Sequence, residues 1–143
     1  MEWDECLKGD VASATKNTET AKALLKLCDA RLEVAKGIDI EKYPALLAEA
    51  YYEVIKELIT ALLAAHGFKS YSHLCLIAFV KEYYASEFPA HDLELMDKLR
   101  KIRNDVGYRG IFTGWDFLGR NEKRILSVIS RLRKLVEKKI GEG

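Results

Sequence analysis

The chain has 143 residues, 49% hydrophobic and 31% charged, with a formal net charge of +1. This is the size of one domain with a sizeable core, which argues against disorder. No apolar run approaches the roughly 20 residues needed to span a bilayer, and the acidic start Met1-Glu2-Trp3-Asp4-Glu5 lacks the basic-then-apolar order of a signal peptide, so a soluble, cytoplasmic protein is expected.

Taken in order, everything reads helical. Residues 1–16 carry no firm pattern, although Trp3 and Leu7 could dock back on a bundle formed by 17–140. Asn17 and Thr18 suit the N-terminus of a first helix over 18–36. Its apolar positions Ala21, Leu24, Leu25, Cys28, Leu32 and Ala35 repeat at helical spacing, and Gly37 ends it. Pro44 opens a second helix running to about His66, with Gly67 as its stop. Its wide apolar face, from Leu47 and Tyr51 to Leu62 and Leu63, places it at the centre of a bundle. Glu49, Glu53 and Glu57 form an acidic i, i+4 row, which costs about 0.2–0.5 kcal/mol per pair unless a basic partner offsets it.

Ser70 or Ser72 can cap a third helix over about 73–86, with Leu74, Ile77, Val80 and Tyr84 on one face. Pro89 separates it from a fourth over about 91–106, striped by Leu95, Leu99, Ile102 and Val106. Gly107, Gly110 and Gly114 break the pattern before a fifth helix over about 121–140, which buries Ile125, Ile129, Leu132, Val136 and Ile140. Five helices with short connections predict an all-α up-and-down bundle forming a single domain over 1–143.

Cys6, Cys28 and Cys75 are odd in number and far apart, which argues against a disulfide framework and a thiolate zinc site. Cys28 and Cys75 read as small core side chains. His66, Ser72-His73 and Cys75 fit no strong ligand pattern, so no metal or cofactor is expected, and His73 reads as a helix-start residue. Tyr51-Tyr52 and Tyr83-Tyr84 could stack bases, but core or interface packing accounts for them better. Charge is uneven: residues 1–100 carry 12 Lys/Arg against 17 Asp/Glu, net −5, and residues 101–143 carry 11 against 5, net +6. Either an anionic partner or an acidic helix beside a basic one explains that split.

The densest chemistry lies in Arg103-Asn104-Asp105-Val106-Gly107-Tyr108. Arg103 falls at the edge of the buried stripe, flanked by Arg100 and Asn104, where a guanidinium can hold a phosphate bidentately. Asn104 and Asp105 also suit a helix end, and Gly107 and Gly110 a turn. Two Arg103–Tyr108 pairs facing one cleft across a two-fold would mark a site. Arg103 locked to an acidic residue such as Glu53, away from any cleft, would mark a structural helix terminus.

Over residues 18–140 the chain resembles a HEPN domain (higher eukaryotes and prokaryotes nucleotide-binding), particularly the small prokaryotic versions. The resemblance is carried by Ala48-Glu49-Ala50-Tyr51-Tyr52, by Ala61-Leu62-Leu63-Ala64-Ala65-His66-Gly67, by Ser70-Tyr71-Ser72-His73 with Leu76-Ile77-Ala78 after it, and by Leu99-Arg100-Lys101-Ile102 leading into the Arg103–Tyr108 hexapeptide. It implies a helical bundle that dimerises and, in many relatives, a metal-independent ribonuclease site built from Arg, a polar residue and a following His. Arg103 and Asn104 match the first two elements; Tyr108 stands at or near the histidine position. A tyrosine phenol, titrating near 10, is a poor base at neutral pH, with Asp105 as the substitute. The resemblance therefore implies a non-catalytic or weakly active homodimer that binds nucleotide or RNA through Arg100, Arg103, Asn104, Tyr108 and Arg109. The alternatives are a ribonuclease toxin paired with a nucleotidyltransferase antitoxin, and a protein-interaction module without nucleic-acid binding.

Overall fold

The structure, a computed structural model, describes residues 1–112 and 114–142. Among them are six helices, α1 Trp3–Leu7, α2 Thr18–Lys36, α3 Pro44–His66, α4 His73–Tyr83, α5 Ala90–Arg109 and α6 Trp115–Gly141, and two strands, β1 Val11–Ser13 and β2 Phe68–Ser70. The molecule is a mainly helical bundle. The purely helical reading needs one correction: β1 and β2 pair antiparallel, with Val11 opposite Ser70 and Ser13 opposite Phe68. Three-residue strands are too short to show alternation in sequence. No helix among the described residues is long and apolar enough to cross a membrane.

The two longest-range predictions of helix limits hold because their end signals are chemical. The Asn17 side chain accepts the Thr20 N–H at 2.9 Å, and the chain leaves α2 at Gly37. Pro44 occupies the first turn of α3, and Gly67 ends it with φ 88°. A Cβ at Gly67 would also lie 2.9 Å from the Ala14 carbonyl oxygen, so the left-handed turn and the close approach of the preceding chain both require glycine. Between these ends α3 buries Leu47, Tyr51, Val54, Ile55, Leu58, Ile59, Leu62 and Leu63, and packs against α2, α4, α5 and α6.

Other limits shift. α4 stops at Tyr83, not 86, and exposes Leu74 while burying Cys75, Leu76, Phe79 and Val80. α5 runs through Gly107 to Arg109, and Gly110, with φ 65°, is the actual stop. α6 begins at Trp115 behind Gly114, where a Cβ would lie 2.9 Å from Ile102 Cδ1 and 3.0 Å from Phe112. The missing side chain at Gly114 thus seats the start of α6 against α5.

The N-terminal segment docks as well. Trp3 is buried and meets Phe68, Phe79 and Tyr83 edge-on, with centroids 5.3, 5.5 and 5.9 Å away; Leu7 stays exposed. The docking brings Cys6 beside Cys75, with Cα atoms 5.8 Å apart, and the two form a disulfide. This corrects the reading that the cysteines argue against a disulfide, and that Cys75 is a plain core side chain. Sequence distance hid the pair because the short helix α1 had no visible periodicity. Cys28 remains a free, buried thiol, pushed up to about 12 by its burial.

Candidate functional site

Arg103 is held by Glu53: its guanidinium donates to the Glu53 carboxylate at 3.1 Å, joining α5 to α3, which is the arrangement expected of a structural helix terminus. Glu53 also receives Lys56 at 2.7 Å. Burial raises the Glu53 carboxyl, but Lys56, Arg103 and Arg31 outweigh it and hold its pKa below the ordinary value. One turn earlier on α5, Arg100 donates to Asp97 at 2.9 Å, and Lys101 reaches the same carboxylate at 3.1 Å. Asp97 is likewise raised by burial and lowered further by its two cationic partners. The acidic row on α3 is thus offset at two of its three members, Glu53 by Arg103 and Lys56, and Glu57 by Arg31 at 3.8 Å.

His73, the first residue of α4, faces this cluster. Its ring lies 5.9 Å from that of the buried Tyr52. Burial lowers the His73 pKa, and Lys56, Arg103 and Arg100 lower it further, so the imidazole is neutral at pH 7. Four cations (Lys56, Arg100, Lys101, Arg103) thus gather around two carboxylates and a neutral imidazole. Such a group can take a phosphate between the guanidiniums with a neutral imidazole beside it. Asp97 also lines an open groove of about 340 Å³ between α4 and α5, with Leu74, Ile77 and Leu93; Arg100 and Arg103 do not line it.

The hexapeptide does not act as one unit. Tyr108 lies five residues beyond Arg103, roughly 140° round the helix, and is exposed. Asp105 pairs with Arg109 at 3.8 Å, and its backbone carbonyl accepts the Ile111 N–H at 3.2 Å. These residues shape the end of α5. Asn104 is partly buried. The structure brings Arg100 and Arg103 together and leaves Tyr108 and Arg109 on an exposed corner.

His73, Lys56 and Asp97 are the members the motif did not point to. The only signal for His73 was its place after Ser70-Tyr71-Ser72 at a helix start; for Lys56 it was the i+3 position after Glu53. The second histidine of that region, His66, turns elsewhere: its Nε2 and the Tyr84 hydroxyl share a hydrogen bond at 2.7 Å.

Comparison with family models, with curated proteins and with solved structures returns no match.

Proposed function

We propose that the protein binds RNA or a nucleotide by its phosphate at the α3–α5 face, through Arg100 and Arg103. The observation that carries this is the surplus of cations around Glu53 and Asp97: both arginines keep guanidinium edges beyond their single carboxylate partners, with Lys56 and His73 beside them. The Glu53 pair gives Arg103 a structural task, and a phosphate would compete with that carboxylate for it. The HEPN-like motif at Arg103-Asn104 points to the same ligand class, and the dimer it implies would bring two such faces together.

The test is anisotropy of a labelled single-stranded RNA and a labelled nucleotide over a salt series. Arg100→Ala and Arg103→Ala should each weaken binding and lower the magnitude of the salt slope by about 0.7 for the single strand. Folding is checked by circular dichroism. Unchanged affinity and slope in both folded variants would refute the reading.

His73 favours a second reading, a metal-independent ribonuclease of the kind that pairs as a toxin with a nucleotidyltransferase. A neutral His73 could accept the 2′-hydroxyl proton while the arginines stabilise charge on the phosphorane. It predicts cleavage in the presence of a chelator, abolished by His73→Ala with RNA binding retained. A broad RNA panel left intact by the purified protein would exclude it.

A further inference from the structure

We propose that the α5–α6 corner is a base-stacking platform for single-stranded RNA, with Trp115 and Tyr108 as its rings. The proposal rests on the RNA-binding reading of the Arg100–Arg103 face and assigns the part of the ligand that face leaves unbound, the bases.

Three large apolar side chains lie open to solvent within eight residues: Tyr108 is 77% exposed, Trp115 52% and Ile111 43%. Phe112, partly buried against the core, meets Trp115 edge-on with centroids 6.4 Å apart and steadies its ring. Gly114, wedged on Ile102, starts α6 at the level of the Arg103 turn, so Trp115 and the cation cluster belong to the same end of the bundle. The backbone around the rings is bare. A Cβ at Gly107, Gly110 or Gly119 would meet nothing within 4 Å. Gly107 and Gly119 are inside helices, where alanine is preferred and would fit. Open backbone of this kind suits the close approach of a flat ligand.

Charge favours a nucleic acid over an apolar partner. Residues 100–124 carry seven Lys/Arg against three Asp/Glu. Arg109 and Arg120 are exposed nearby in the chain, and among the described residues their carboxylate partners are the partly buried Asp105 at 3.8 Å and the exposed Asp116 at 4.0 Å. Such loose surface pairs hold little, so both guanidiniums can turn to phosphates. Aromatic rings interleaved with arginine bind single strands, whose bases are free to stack; in duplex RNA the bases are already stacked inside.

The test uses the full chain and three fluorescein-labelled ligands of equal length: single-stranded oligouridylate, its abasic sugar–phosphate counterpart and duplex RNA. Trp3 is buried and Trp115 exposed, so quenching of intrinsic fluorescence reads Trp115. The single strand should quench it, and Trp115→Ala should weaken single-strand binding about 5-fold or more with an unchanged salt slope. Trp115→Phe should retain most of the affinity, Tyr108→Ala should lose part of it, and the abasic strand should bind wild type and Trp115→Ala alike. If Trp115→Ala binds normally while Arg100→Ala does not, the platform is refuted and the phosphate face stands. If no RNA binds at all, the phosphate face fails and the platform falls with it. If Trp115→Ala turns a dimer into monomers and RNA gives no quenching, the corner is a contact between copies, and the platform is overturned.

Discussion

Removing the Glu53 carboxylate would leave Lys56 and Arg103 beside each other with no counter-ion. Glu53→Gln should therefore release both cations for a phosphate and tighten RNA binding several-fold. It should also cost about 1–3 kcal/mol of stability, the range for losing charged hydrogen bonds at a partly buried site. Anisotropy and urea unfolding measure the two effects, and weaker RNA binding in a folded Glu53→Gln variant would contradict the assignment. The histidines give a second residue-level outcome. His66 and His73 both titrate below the ordinary value of 6.5, each chiefly because burial disfavours the charged ring. The unfolded chain then takes up protons first, so stability is full above about pH 6.5 and falls as the pH drops through the lowered folded pKa values. Urea midpoints should decline between pH 7 and 5, and less steeply in His66→Gln; an equal decline in that variant would remove His66 as a cause. At this scale the sequence allowed two fates for Arg103 and named Glu53 as its partner in the structural one, because an acidic row on α3 calls for a cation. It did not reveal His73, since a histidine at a helix start carries no mark of what faces it across the fold. It also grouped Tyr108 with Arg103 by proximity in sequence, although five residues along a helix turn a side chain well away.

Between elements, the Cys6–Cys75 bond ties α1 to α4 across 69 residues of chain. Closing a loop of that length restrains the unfolded chain by about 4 kcal/mol in the entropic account. Reduction, or Cys6→Ser with Cys75→Ser, should lower unfolding free energy by about 2–4 kcal/mol and raise amide exchange over residues 3–13 before the rest of the bundle. A stability unchanged by reductant would show that Trp3 packing alone holds α1. A half-buried ion pair also ties α5 to α6: Arg131, partly exposed, donates to the almost fully buried Asp92 at 2.8 Å, and its guanidinium lies 5.0 Å from the Phe88 ring. Asp92→Ala should cost about 1–2 kcal/mol through the lost charged hydrogen bond, the partly exposed Arg131 regaining water. A cost under half a kcal/mol in denaturant unfolding would show the pair to be incidental. α2 and α3 were legible nearly to the residue because Asn17, Gly37, Pro44 and Gly67 act locally on the backbone. The ends of α5 and α6 were not: a solvent-facing glycine costs a helix about 1 kcal/mol, which Gly107 and Gly119 incur without breaking their helices. α1, the strands and the disulfide depend on one another, and no local signal reports a contact made only after folding.

Across the whole molecule, the basic C-terminal third is partly neutralised by the acidic remainder. Arg133 donates to Asp29 at 2.7 Å, Arg131 to Asp92 and Arg103 to Glu53. Acidic helices beside basic ones therefore account for much of the asymmetry in sequence. The disulfide bears on compartment in the same way: such bonds persist mainly in oxidising surroundings, or inside the cells of some thermophiles, so the cytoplasmic expectation from the N-terminal residues has a feature against it. With a net charge of +1, long-range attraction to RNA is weak, and affinity must come from local contacts. Lys56, Arg100 and Arg103 each meeting one phosphate would contribute about −2 to the salt slope on a single strand, or about 20-fold weaker binding between 50 and 200 mM salt from these three alone. On α6, Lys134 and Lys138 have no carboxylate within 4 Å among the described residues, and they provide the control for non-specific attraction. Lys134→Ala with Lys138→Ala should leave that slope intact, whereas Lys56→Ala should reduce it by about 0.7. The reverse pattern in the same titrations would place the anion surface on α6, and the Arg100–Arg103 cluster would then be structural.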